Sequence, residues 1–138
     1  MLSMSDVSHK NLSGGADSNY QLALIRRFDF SSKLQRMSVI VKNFLDHSFK
    51  AFVKGSPERI RELCSEESLP QNYDEILEIY TECGYRVLAL AYKPLDITFL
   101  KSQKIPRDEV ECDLQFLGFL IMQNKLKPVT VSVIQTLN

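Results

Sequence analysis

From residue 20 onward the chain is built of short apolar runs divided by polar breaks. The run 20–28 (YQLALIRRF) predicts a strand, although helical spacing fits it almost as well. Residues 37–42 (MSVIVK) are rich in β-branched side chains, and residues 49–54 (FKAFVK) alternate apolar and polar, so both predict strands. The short link 43–48 between them predicts a hairpin. Ser56 then suits a helix N-cap, Pro57 the first helical position and Glu58 the positive end of the helix dipole, which predicts a helix over 57–64. Beyond Pro70, apolar residues recur at Tyr73, Ile76, Leu77 and Tyr80, a helical spacing over 72–83, and Gly84 stands where a C-terminal cap glycine belongs.

The second half continues with an apolar strand over 86–92, a polar connection over 93–104 and a short helix over 106–112. Another strand follows over 113–122, and Val129, Val133, Ile134 and Leu137 predict a helix over 127–138. Strands, a helix pair and returning strands together predict an α+β fold: a mainly antiparallel sheet flanked by helices. Residues 1–19, rich in Ser, Asp, Gly and Asn, have the composition of a flexible loop.

Composition narrows the functional classes. Hydrophobic residues at 44% and charged residues at 25% fit a soluble globular domain. Lys plus Arg (17) balance Asp plus Glu (17), so net charge gives no reason to expect nucleic acid as a partner. Cys64, Cys83 and Cys112 are widely spaced and odd in number, which argues against a disulfide framework or a zinc site and fits a reducing compartment. His9 and His47 are isolated, and no metal site is expected. The longest strongly apolar run, 116–122, is far short of the about 20 residues that a membrane span needs. Phosphate-loop, dinucleotide, zinc-protease and nucleophile-elbow patterns are all missing.

Four segments carry a more specific message. They are 28–39 (FDFSSKLQRMSV), 54–58 (KGSPE), 84–92 (GYRVLALAY) and 113–118 (DLQFLG), the last leading into 124–127 (NKLK). Taken singly, each has a plain structural reading. Phe30 after a strand is ordinarily core, KGSPE makes a strand-to-helix turn, and Arg86 at a strand start is ordinarily solvated or ion-paired. In this order and spacing the four resemble the nucleotide-binding domain of P-type ATPases, over about residues 20–138.

The resemblance implies that Phe30 stacks on adenine, and that Lys54, Gly55 and Arg86 meet the ribose and phosphates of ATP. Ser32, Gln35 and Arg36 are further possible contacts. It implies a nucleotide-binding domain over 20–123, and a hinge with the start of the phosphorylation-domain helix over 124–138. Mg2+ would arrive with ATP and not be bound by this chain alone. Many family members carry Lys where Gln35 stands here. FSSKLQRMSV is similar to the type-five class, with the Gln resembling the polyamine-exporter subclass; the helix-dislocating subclass of the endoplasmic reticulum usually has Lys.

DKTGT, TGD and TGE are absent from the sequence. The chain is therefore expected to bind ATP without turning it over, as a monomeric cytosolic part of an integral membrane protein of an endolysosomal or other internal membrane. Its expected partners are the phosphorylation and actuator domains of the same polypeptide. The alternatives are a protein-interaction module that kept the fold and lost the nucleotide, or the same domain of the helix-dislocating subclass of the endoplasmic reticulum.

Overall fold

A computed structural model describes residues 21–123 and the backbone of Val131–Ile134. Its strands are β1 (Leu22–Ser31), β2 (Arg36–Asn43), β3 (Phe49–Gly55), β4 (Arg86–Leu95), β5 (Gln115–Met122) and β6 (Val131–Ile134). They form one sheet in sequence order, every neighbouring pair antiparallel. Helices α1 (Pro57–Leu63) and α2 (Tyr73–Glu82) lie between β3 and β4, with a 3-10 turn (Glu66–Ser68) between them. Helices α3 (Phe99–Lys104) and α4 (Arg107–Val110) lie between β4 and β5. The α+β class with an antiparallel sheet and flanking helices is as the sequence implies.

Local chemistry explains the helix ends. The Ser56 hydroxyl accepts from the Arg59 amide at 3.4 Å and Pro57 occupies the first turn of α1. At the end of α2, Gly84 takes φ +84°. Its amide donates to the Thr81 carbonyl at 3.0 Å, and the Tyr85 amide to the Tyr80 carbonyl at 3.1 Å, closing the helix in a Schellman motif.

Two apolar clusters hold helices to the sheet. In the first, Val53, Val87, Ala89, Ala91 and Phe119 pack against Ile60 and Cys64 from α1 and Tyr73 from α2. The Tyr73 ring lies 4.8 Å from Phe119 and 5.2 Å from Phe116, centre to centre, and its hydroxyl donates to the Pro57 carbonyl at 2.7 Å. In the second, Ile40, Phe49 and Ala51 meet Ile105 and Val110, the residues beside α3 and within α4.

Two expectations are corrected. The stretch 93–104 is not a simple connection: β4 runs on to Leu95, and α3 starts after Thr98, whose hydroxyl accepts from the Lys101 amide at 3.1 Å. Pro94 is tolerated there because the β5 pairing ends at Tyr92, so no β5 partner needs its missing N–H. The helix expected over 127–138 gives way to β6 at Val131–Ile134, paired with Phe119–Met122 of β5. Consecutive β-branched residues at 129–131, 133 and 134 favour extended backbone over helix. The expected loop over 1–19 and the hinge at 124–127 lie outside the described residues.

Candidate functional site

The site grows from the tip of the β1–β2 hairpin. Ser31 pairs with Arg36, and the Gln35 amide donates to the Ser31 carbonyl at 2.6 Å, closing the turn. Gln35 itself adopts φ +57°, an uncommon conformation for a side chain of this size. Its carbonyl accepts from the Ser56 amide at 3.0 Å, and its side-chain oxygen from the Ser56 hydroxyl at 3.2 Å. The hairpin tip is thereby joined to the start of α1.

Gly55 makes that junction sterically feasible. A Cβ on Gly55 would sit 2.4 Å from the Gln35 carbonyl oxygen and 2.7 Å from the Arg36 Cβ. The close approach that requires glycine here is therefore made by the hairpin backbone.

Beside this junction lies an open pocket of about 360 Å³. Phe30 and Gln35 come from the hairpin, Ser56, Pro57 and Glu58 from the start of α1, Leu77 and Thr81 from α2, and Arg86, Val87 and Leu88 from the start of β4. Phe30 is 64% exposed, so it is not a core residue. Between Phe28 and Ser31 the β1–β2 register shifts, which frees the backbone around Phe30 from regular pairing. Arg86 is exposed and has no ion-pair partner among the described residues.

The structure therefore brings Phe30, Gln35 and Arg86 into one pocket and leaves other candidates outside its wall. Lys54 is 5% exposed. It pairs with Met37 and Leu90, and strand alternation puts it on the same sheet face as Leu88 and Arg86. Burial pushes its amine below the usual lysine range, and the nearby Arg27 charge adds to the effect. Ser32 is exposed on the turn.

Arg36 is engaged elsewhere: its Nε donates to Glu111 Oε1 at 2.6 Å, where the Glu111 side chain is fully buried. Leu77, Thr81 and Glu58 carry no site signal in the sequence: Leu77 falls in the helical apolar spacing, Glu58 suits the helix dipole, and Thr81 fits no pattern. Glu111 carries none either, since a single carboxylate at the end of a short helix makes no pattern.

Among the described residues no helix is long and apolar enough to cross a membrane. The profile of the family described as P-type ATPase, cytoplasmic domain N, matches residues 5–129. The vacuolar cation-transporting ATPase YPK9 of Saccharomyces cerevisiae is 50% identical over 117 residues, which cover 84% of this chain and 8% of that protein. Human polyamine-transporting ATPase 13A2 is 48% identical over 118 residues, covering 84% of this chain and 10% of that protein. Human polyamine-transporting ATPase 13A3 is 43% identical over 121 residues, 86% of this chain and 10% of that protein. The chain thus spans a tenth or less of the length of these relatives.

Proposed function

This chain belongs to the family of P-type ATPase cytoplasmic N domains, and we propose that it binds ATP in the pocket between Phe30 and Arg86. The observation that carries this reading is Phe30. An aromatic ring left 64% exposed beside an open pocket is poorly explained as packing and well suited to stacking on a base. Arg86, across the same pocket, offers an exposed guanidinium with no ion-pair partner among the described residues for the phosphates. Gln35 supplies a side-chain amide at the hairpin edge of the pocket. Lys54 contributes positive potential from beneath the sheet surface on the Arg86 side.

In the parent polypeptide the domain would hold ATP so that its γ-phosphate reaches an aspartate of a phosphorylation domain. Mg2+ arriving with the nucleotide would neutralise charge during that transfer. The chain has no Asp followed by Lys-Thr-Gly, so its own residues bind and orient without accepting phosphate. The names of its relatives extend the proposal to cation or polyamine transport, the vacuolar relative to an internal membrane, and the family's description to a place on the cytosolic side.

Calorimetric titration with ATP tests the binding reading. Saturable binding at one site per chain is expected, together with no acid-stable label from γ-labelled ATP. No heat at saturating ATP from a folded chain would overturn the binding. A stoichiometric, hydroxylamine-sensitive label would overturn the passive role.

A further inference from the structure

The hairpin tip that carries Phe30 and Gln35 is held from below by buried charge. The Glu111 carboxylate, fully buried, accepts from Arg36 Nε at 2.6 Å and from the Ser38 hydroxyl at 2.6 Å. It also accepts from Arg107 Nε, at 2.9 Å to one oxygen and 3.0 Å to the other. Arg107 then reaches past it: one terminal nitrogen donates to the Asp29 carbonyl at 3.1 Å, the other to the Arg36 carbonyl at 2.8 Å.

These two carbonyls immediately flank the segment 30–35. Asp29 precedes Phe30 and Arg36 follows Gln35. At Phe30 the sheet offers little restraint, because β1 is an edge strand and its register shifts between Phe28 and Ser31. Core packing offers none either, since the ring is exposed. The Ser31 hydroxyl accepts from the Leu34 amide at 3.2 Å within the segment, while the Arg107 fork ties down the backbone on either side of it, and Glu111 holds the fork.

We propose that Arg107 and Glu111 are positioning residues for the nucleotide site, acting through Asp29 and Arg36 on Phe30 and Gln35. The inference rests on the ATP-binding reading above. Arg107→Lys is the informative variant, because an ammonium retains the charge opposite Glu111 and cannot span both carbonyls.

The test is a double-mutant cycle in the full chain, combining Arg107→Lys with Phe30→Ala and titrating ATP and adenosine. Arg107→Lys alone is expected to weaken both ligands about three- to tenfold, part of what losing a base stack costs. In the Phe30→Ala background its effect should shrink to the smaller part that acts through Gln35, an outcome that a general loss of stability would not produce. Full additivity, or unchanged affinity in Arg107→Lys, overturns the positioning role while leaving the ATP site standing. Unchanged ATP affinity in Phe30→Ala overturns the site and this inference with it. Should Arg107→Lys fail to fold, backbone order parameters of the unaltered chain decide. Values of about 0.85 over residues 30–35 uphold the clamp, and values below about 0.6 overturn it.

Discussion

The two helix pairs grip the same sheet by different physics. Under α1 and α2, contact is apolar and aromatic: Ile60, Tyr73 and Phe119 are buried against small residues of β4. Under α3 and α4, a smaller apolar cluster is joined by the Glu111, Arg36, Arg107 and Ser38 ion and hydrogen-bond network. Apolar burial is non-directional and fixes that two layers meet. A buried carboxylate with three donors is directional and fixes where a particular backbone segment stands. The pocket lies between the two regions, with α2 as one wall and the clamped hairpin as the other. Its geometry therefore depends on both, in different ways.

Breaking the charged region is expected to have the largest effect. Glu111→Ala leaves the Arg36 and Arg107 guanidiniums without their buried partner, and should cost about 3–5 kcal/mol in denaturant unfolding. A loss below about 1 kcal/mol would mean that the apolar cluster alone holds α4.

Next comes the junction between the regions. Gly55→Ala sets a methyl group against the Gln35 carbonyl and the Arg36 backbone, neither of which is the free end of a flexible side chain. A cost of about 1–3 kcal/mol is expected, with weaker ATP binding because the hairpin tip must move. An alanine variant of native stability and affinity would show that the tip is not fixed against β3.

Phe30→Ala separates ligand binding from folding. The ring is exposed, so stability should change by no more than about 0.5 kcal/mol. ATP affinity should fall by about 1–3 kcal/mol, the usual loss of one base stack. Outright unfolding would instead place Phe30 in the core.

The smallest expected effect lies in the apolar region. Burial pushes the Cys64 thiol from its ordinary 9.0 up to about 12. The unfolded thiol ionises first as pH rises, so this contribution to stability is complete below pH 9.0 and is lost as pH rises towards 12. Burial raises the Tyr73 hydroxyl as well, which acts in the same direction. Cys64→Val should flatten the alkaline fall in stability. In the folded chain a thiol reagent at pH 8 should label exposed Cys83 and spare Cys64. Equal labelling of the two would show that the α1 layer opens readily.

Much of this was legible from residue order. The β-branched run in β2, the alternation in β3, the Ser-Pro-Glu start of α1 and the cap glycine at 84 each state a local rule that the fold obeys. The family motifs marked Phe30 and Arg86, and the pocket joins them. What escaped depends on long-range contact. Whether Phe30 is core or exposed is decided by the register shift in β1. Gly55, which the resemblance assigns to the nucleotide, also makes room for the Gln35 carbonyl. Arg36 looked available to a phosphate and is held by a carboxylate distant in sequence. In β6, apolar spacing at Val129, Val133, Ile134 and Leu137 mimics a helix, and the extended preference of its β-branched residues prevails.

ATP binding is proposed for the pocket between the clamped hairpin and the start of β4. Amide chemical-shift mapping of the chain during ATP titration decides whether ATP binds there. Saturable shifts are expected, centred on Phe30, Gln35, Gly55, Ser56 and Arg86, with the α3 surface around Phe99 and Leu100 unmoved. Shifts confined to that α3 surface, or none at saturating ATP, would contradict the proposed site.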